Sequence, residues 1–116
     1  MNEYIKGFAK GMTISNEPGY YEDNEFGIRI ENICVTVDVN TANNFNNKQF
    51  LGFETISFAP IKTDLINVNL LTTSEIEWIN NYNQQVYENL HELMESTFPQ
   101  TLPYLIEETK PISRSQ

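Results

Sequence analysis

The spacing of apolar residues changes near residue 72, and this change constrains the fold of the chain more than any other feature. Before that point, residues 26–39 alternate apolar and polar side chains, which is the two-residue period of a β-strand. After it, apolar residues recur at every third or fourth position through residues 73–96, as on one face of an amphipathic helix. Antiparallel strands followed by one long helix predict an α+β fold, or the tail of a larger α/β unit.

The predicted helix carries its own start and stop signals. Thr72 and Glu75 have the spacing of a capping box, in which each side chain bonds the other residue's backbone N–H. Pro99 ends the helix, and a short second helix is expected over residues 102–109. The apolar stripe of the long helix, which we expect to pack inward, consists of Ile76, Ile79, Tyr82, Val86, Leu90 and Leu93.

Turn residues divide the first third of the chain. Residues 12–15 are predicted to form a short strand, and Pro18–Gly19 then breaks regular structure, while Asp23–Asn24 is typical of a turn. The strand over residues 26–39 follows. Its second half, ICVTV, is apolar at most positions, so we expect it to be covered on both faces.

The middle of the chain reads as loop, strand and a further extended piece. Residues 40–49 are polar and rich in asparagine, which indicates a loop. Residues 50–58 are rich in aromatic and β-branched side chains, which predicts a strand that Pro60 ends. Residues 61–65 are expected to be extended. Residues 1–10 show no period and are interpreted as a flexible lead-in.

Composition excludes several classes of partner. The chain has 16 acidic and 7 basic residues and a net charge of −9, whereas nucleic acid and anionic membranes bind clusters of lysine and arginine. No stretch approaches the roughly 20 apolar residues of a membrane span. The single cysteine, Cys34, cannot form an internal disulfide. These features predict a protein of the reducing cytoplasmic compartment that binds neither nucleic acid nor membrane.

Two glutamates lie at equal distances from the Asn24 turn. Glu17 precedes Asn24 by seven residues and Glu31 follows it by seven, so a hairpin would bring the two carboxylates together. Like charges so close are unfavourable, and a hard cation such as Mn²⁺ or Mg²⁺ resolves the conflict. Arg29, two residues before Glu31, could orient a metal-bound carboxylate. The spacing alone leaves a solvated surface ion pair as the alternative.

Several stretches of the chain resemble the aminopeptidase P family, the Xaa-Pro aminopeptidases among the creatinase-like "pita-bread" metallopeptidases. The similarity extends from about Gly11 to Ser113. It is carried by NEPGYYED and FGIRIEN (residues 16–23 and 26–32), FNN (45–47), LGFETISFAP (51–60), WINNY (78–82) and LIEETKPIS (105–113). The resemblance implies the C-terminal portion of a pita-bread fold of the eukaryotic cytosolic type. It implies that residues 1–40 end the catalytic domain and that residues 41–116 form the family's C-terminal region.

The resemblance also implies a reaction and a metal site. Members of the family remove the N-terminal residue from peptides with proline in second position, using two Mn²⁺ ions. Glu17 would bind one metal ion and act as the catalytic proton shuttle, and Glu31 would bridge both ions. Arg29 would take the supporting catalytic role of the family's arginine near the bridging ligands. The family's C-terminal region takes part in a homodimer.

The chain departs from the family pattern ahead of Glu17. The family site uses five protein ligands, and two aspartates and a histidine come before the glutamates, whereas no aspartate or histidine precedes Glu17 here. The only histidine, His91, falls in the predicted helix, where it is interpreted as an ordinary solvated or half-buried side chain. We therefore expect this chain to be inactive by itself. In it, the two glutamates should lie on adjacent strands, on one open face with exposed apolar neighbours.

Two other interpretations remain open at this stage. One is a non-catalytic protein-binding module derived from the pita-bread fold, although such a module has no need to keep both glutamates and Arg29. The other is a domain whose long helix serves assembly through an exposed stripe of Trp78 and Tyr82.

Overall fold

The computed structural model describes residues 7–114, and the chain divides into two compact units at Ser57 and Phe58. Most of the predicted lead-in, residues 1–6, lies outside the described residues. The first unit contains five strands, which are β1 (Thr13–Asn16), β2 (Gly19–Glu22), β3 (Phe26–Arg29), β4 (Asn32–Val39) and β5 (Phe50–Thr55). They form an antiparallel sheet in the order β1-β4-β5 and an antiparallel pair, β2-β3.

The prediction of one continuous strand over residues 26–39 was wrong, because β3 and β4 belong to different sheets. The segment after Pro18, predicted to break regular structure, is β2 and pairs with β3. The interruption lies beside Pro18, which has no N–H to donate to a neighbouring strand. Its carbonyl still accepts from the N–H of Ile30 at 3.2 Å, so the two strands stay side by side through the break.

Strand β4 is buried on one face, whereas the other face is half-buried at Val35 and Val37 and exposed at Ile33, so the predicted cover on both faces is incomplete. The covered side chains are Asn32, Cys34 and Thr36. On the other face Ile33 is 40% exposed, although it belongs to the apolar half of the pattern. The small and polar side chains are buried because they make hydrogen bonds to neighbouring strands and to the segment before β1. The hydroxyl of Thr36, for example, donates to the carbonyl of Ala9 at 2.5 Å.

The predicted loop over residues 40–49 is confirmed. Strand β5 ends at Thr55 rather than at residue 58. The last ladder bond runs from the N–H of Ile56 to the carbonyl of Ile33 at 2.9 Å. The N–H of Ile33 then donates to the hydroxyl of Ser57 at 2.9 Å, so a side chain replaces the backbone acceptor that would have continued the strand.

The second unit is helical. It contains two α-helices, α1 (Thr73–Thr97) and α2 (Leu102–Glu108). Three short 3₁₀ turns lie at Thr63–Leu65, Val68–Leu70 and Pro99–Thr101. Both predicted helices are confirmed, whereas the predicted extended piece over residues 61–65 contains the first 3₁₀ turn. No helix among residues 7–114 has the length and apolar content needed to cross a membrane.

Helix α1 begins with the predicted capping box, in which Thr72 and Glu75 bond each other's backbone N–H. Three residues of the predicted stripe, Ile79, Tyr82 and Val86, are buried. The C-terminal end of the stripe is not buried, because Leu93 is 55% exposed. Helix α1 has 25 residues, and the seven-residue α2 that packs beside it is too short to cover its whole length.

Two asparagines on α1 hold extended segments of the same unit. Asn83, 1% exposed, accepts from the N–H of Ile61 at 2.9 Å and donates to the carbonyls of Ile61 and Glu108, both at 3.3 Å. Asn80 makes a similar two-way contact with the N–H and carbonyl of Ile112, at 2.8 and 3.0 Å. The side-chain amide of each asparagine thus bonds both the N–H and the carbonyl of one residue, as the backbone of a neighbouring strand would.

Candidate metal centre

One hairpin register brings Glu17 and Glu31 opposite each other. Asn16 pairs with Asn32 in β1 and β4, and Gly19 pairs with Arg29 in β2 and β3. Every pair in both ladders is centred on Asn24, so no residue is inserted at the break between them. Opposed residues of antiparallel strands point to the same face. Glu17, which follows β1, and Glu31, which precedes β4, therefore share one face of adjacent strands, as the sequence predicts.

The turn that sets this register depends on Asn24. Its φ of 61° lies in the left-handed region, where asparagine is one of the few tolerated residues other than glycine. The N–H of Glu25 donates to the carbonyl of Glu22 at 3.1 Å and closes the turn.

The guanidinium of Arg29 lies between the two carboxylates. Its Nη1 is 3.4 Å from Oε2 of Glu17, and its Nε is 3.0 Å from Oε2 of Glu31. The positive charge of Arg29 therefore relieves the repulsion between the two carboxylates. The three side chains predicted from the sequence as site residues lie together.

Tyr21 is a member of this cluster that the sequence did not reveal. Its hydrogen bond with Arg29, followed by the charge of Glu31 and, more weakly, that of Glu17, raises the pKa of Arg29 above its ordinary value. The ring of Tyr21 lies over two glycines: a Cβ at Gly27 would come within 2.6 Å of ring atom Cδ1, and one at Gly19 within 2.6 Å of the hydroxyl. The signal available in the sequence is a tyrosine flanked by glycines at positions that a hairpin brings together.

Ser15 is a second residue that the sequence did not reveal. Its hydroxyl donates to Oε1 of Glu17 at 2.7 Å, while Oε2 of the same carboxylate faces Arg29. The two oxygens of Glu17 therefore have different partners. Serine and glutamate two residues apart share a strand face, but that spacing is too common to single them out.

The face that carries the cluster is open. The side chains of Glu17, Arg29 and Glu31 are 48%, 47% and 38% exposed. Two neighbouring apolar side chains are also exposed: Ile33, two residues after Glu31 in β4, and Ile56, which directly follows β5. A shallow depression at the cluster is lined by Tyr21, Gly27, Ile28, Arg29 and Glu31. The expectation of an open face with apolar neighbours is confirmed.

The donor set fits part of a metal site. Two opposed carboxylates suit a hard divalent cation, yet residues 7–114 contain no group of three or more histidine, cysteine, aspartate or glutamate side chains placed to hold one. His91 packs on Tyr87 within α1, with the ring centroids 4.8 Å apart. What the arrangement provides is two carboxylate ligands and a guanidinium beside them.

Comparison with known proteins points to one enzyme family. The chain is 48% identical over 102 residues to a "Probable Xaa-Pro aminopeptidase P" of Coprinopsis cinerea, a match that covers 88% of this chain and 16% of that protein. It is 43% identical over 104 residues to "Aminopeptidase P2" of Arabidopsis thaliana, covering 90% of this chain and 14% of the relative. The chain thus spans about one sixth of the length of these relatives.

A solved structure gives the same result for the fold. The crystal structure of X-prolyl aminopeptidase from Caenorhabditis elegans, described as a cytosolic enzyme with a di-nuclear active site, matches with a TM-score of 0.79 and 31% identity. The match covers 90% of this chain and 17% of that one. It confirms the predicted fold class, α+β as in the C-terminal portion of a pita-bread enzyme.

The matching family profile covers more than half of the chain. It is described as the C-terminal region of peptidase_M24 and matches residues 49–112, which include β5 and both helices. Together with the aminopeptidase P relatives, it confirms the resemblance that the sequence motifs indicate. The chain belongs to the peptidase M24 C-terminal-region family.

Proposed function

We propose that this chain is the C-terminal segment of a di-metal Xaa-Pro aminopeptidase, which removes the N-terminal residue from peptides with proline in second position. The single observation that carries the proposal is that Glu17 and Glu31 stand opposite each other on an open face, with Arg29 within 3.4 Å of both. Relatives with Xaa-Pro aminopeptidase names and a di-nuclear structural neighbour support it.

In this proposal each of the three side chains has its own task. Glu31 would help to hold both cations. Glu17 would help to hold one of them and would accept or return a proton through its carboxylate. Arg29 would orient both carboxylates, since its planar guanidinium offers several donors in a fixed geometry. The remaining ligands come from residues outside the described part of this chain.

The cations proposed are two Mn²⁺ ions. When bound, such ions lower the pKa of water and polarise the carbonyl of the scissile bond. A carboxylate pair is a donor set that Mn²⁺ accepts, and the side chains of Glu17 and Glu31 are 48% and 38% exposed.

The proposal includes an internal division and a setting. Residues 1–40 would end the catalytic domain, and residues 41–116 would form the C-terminal region. The enzyme would act in the cytoplasm on peptides, independently of nucleic acid and membrane, and would form a homodimer through the C-terminal region. By itself the 116-residue chain would be inactive, because three of the five expected ligands are missing from it.

A second candidate is a non-catalytic binding or dimerisation module. The observation that favours it is Trp78, which is 44% exposed and stacks on Tyr82 with ring centroids 5.8 Å apart. Exposed aromatic side chains of this kind are common at protein interfaces. This candidate assigns no task to the carboxylate pair, so the two proposals differ in what happens when the glutamates are replaced.

A graft into a relative tests the proposed function. The segment of the Coprinopsis cinerea protein that matches this chain over 102 residues is replaced by the sequence of this chain. Hydrolysis of a short Xaa-Pro peptide is then measured with added Mn²⁺. We expect an active hybrid, an inactive 116-residue chain, and loss of activity by about 100-fold or more in Glu17→Gln and Glu31→Gln hybrids, since metal ligands are replaced.

The matched control is Glu54→Gln, which replaces an exposed glutamate on β5, away from the cluster. We expect it to keep full activity. A hybrid that retains activity after replacement of Glu17 and Glu31 would rule out the assigned roles. A hybrid with both glutamates that folds and dimerises but hydrolyses nothing would favour the binding module.

A further inference from the structure

A pair of asparagines lies one residue away from the two glutamates. Asn16 and Asn32 are register partners and form the last pair of the β1–β4 ladder before Glu17 and Glu31. The side-chain amide of Asn16 donates to Oδ1 of Asn32 at 3.0 Å. Successive residues of a strand point to opposite faces, so this bond ties the strands together on the reverse side of the sheet from the carboxylates.

Asn32 also reaches the third strand of the sheet. It is 4% exposed, and its Nδ2 donates to Oγ1 of Thr55 at 3.0 Å and to Sγ of Cys34 at 3.3 Å. One buried amide therefore connects β1, β4 and β5. Within residues 7–114, no buried side-chain nitrogen or oxygen lacks a hydrogen-bond partner.

The hairpin needs such a connection at this place. The backbone ladder is interrupted beside Pro18, where a ladder donor is missing. Between the two ladders the strands share a single backbone hydrogen bond, from Ile30 to Pro18. A shift of one residue in strand pairing turns every side chain of the strand to the other face. Such a shift would take one glutamate away from the other and from Arg29.

A buried amide opposes this shift more strongly than an apolar pair does. Apolar side chains pack acceptably against several neighbours, whereas a shifted Asn32 would lose its cross-strand partners, Asn16 and Thr55, in a buried position. Burying a polar group without a partner is destabilising, because its bonds to water are not replaced. Buried polar residues are known to fix register in this way.

We propose that Asn32, acting with Asn16 and Thr55, is a positioning residue for the carboxylate pair. It fixes the one strand register in which Glu17 and Glu31 face each other across Arg29. The consequence for metal binding rests on the proposed function, but the register itself does not.

The test uses Asn32→Leu in the 116-residue chain and measures two properties. Cross-strand contacts in NMR spectra report the pairing of β1 with β4, and calorimetry reports the affinity for Mn²⁺ alone. In the unmodified chain we expect one register centred on Asn24. In Asn32→Leu we expect a second set of cross-strand contacts, and a loss of Mn²⁺ affinity of about 10- to 100-fold.

Thr36→Val is the matched control. Thr36 is 1% exposed, lies on the same face of β4, and also bonds a neighbouring segment, through Ala9 and Met12. Its replacement removes buried hydrogen bonds four residues farther from the glutamates, so it should lower stability without changing the register or the Mn²⁺ affinity. An Asn32→Leu chain that keeps a single register and binds Mn²⁺ within twofold of Thr36→Val overturns the proposal.

A milder pair of variants covers the case in which Asn32→Leu does not fold. Asn16 is exposed, and Asn16→Ala removes one hydrogen bond only. We expect Asn16→Ala to show the second register. Asn16→Asp should restore the single register, because the amide of Asn32 can turn to donate to a carboxylate while the hydroxyl of Thr55 donates to its oxygen. Identical, single-register spectra for both variants contradict the proposal.

Mn²⁺ binding and strand register can fail separately. If the unmodified chain binds no Mn²⁺, the half-site of the proposed function is what fails. The NMR contacts then decide the role of Asn32 alone.

Discussion

The helical unit, from Phe58 onward, and the hairpin unit, up to Ser57, use polar side chains in opposite ways. Asn83 is buried, and all of its three bonds go to backbone groups of its own unit. Glu17, Arg29 and Glu31 are about half exposed, and the bonds between them join side chains only. Side chains that satisfy buried backbone groups are needed for folding. Side chains that bond mainly one another at an open surface can exchange those partners for a ligand.

The largest effect that this comparison predicts is on stability. Asn83→Ala leaves the N–H and carbonyl of Ile61 and the carbonyl of Glu108 without their amide partner, so we expect the free energy of unfolding to fall by about 3 to 5 kcal/mol. Urea unfolding followed by circular dichroism measures it. Asn89→Ala on the exposed side of α1, where the amide bonds only the preceding turn, should change the value by less than about 0.5 kcal/mol. Equal losses in both variants would remove the contrast between the two units.

In the hairpin unit, we expect a substitution in the cluster to lower activity rather than stability. Arg29→Lys keeps the positive charge but loses the planar donors that face both carboxylates. In the active hybrid enzyme we expect kcat/KM to fall about 10- to 100-fold, with an unchanged unfolding midpoint. Lys10→Met removes another exposed ion pair of the same unit, that with Asp38, and should leave kcat/KM unchanged. A drop in stability without a drop in kcat/KM would show that Arg29 is needed for folding and not for activity.

The smallest effect concerns the start of α1 and depends on pH. The backbone N–H of Thr72, and then its hydroxyl, lower the pKa of Glu75. A lowered pKa in the folded state stabilises the fold above the ordinary glutamate pKa of about 4.3, and this stabilisation is lost as the pH falls through the lowered value.

Glu75→Gln isolates this charge, because glutamine can still bond the backbone N–H of Thr72. Its unfolding midpoint should be lower than that of the unmodified chain at neutral pH and should converge with it in acid. Glu77→Gln, two positions along the same helix, is the control. A difference that persists unchanged at low pH contradicts the assignment to the charged carboxylate.

Local chemistry in the sequence was enough to locate several of these features. The capping box of Thr72 and Glu75, the stop at Pro99 and the symmetry about Asn24 each depend on residues close together in the chain. They predicted α1, α2 and the opposition of Glu17 to Glu31. Arg29 shares their face because strand residues two apart do so.

Features that depend on long-range neighbours were not predictable in this way. The alternation along β4 shows two faces but not which of them is covered, and here the small and polar side chains are inside. Asn80 and Asn83 look like ordinary surface residues of a helix until Ile112 and Ile61 are seen beside them. Tyr21 joins the site only once the hairpin brings Gly27 opposite it.

The two glycines beneath Tyr21 have a consequence for how this hairpin tolerates substitution. Gly19 and Gly27 lie in exposed strands, and neither has a positive φ, so backbone conformation alone would admit alanine at both. The aromatic ring occupies the volume where a side chain at Gly27 would be, whereas a Cβ at Gly19 would also come within 2.9 Å of the backbone carbonyl oxygen of Ile28. A map of tolerated variants should therefore show Gly19 as the less tolerant of the two, because the exposed ring of Tyr21 can turn aside and the backbone of β3 cannot.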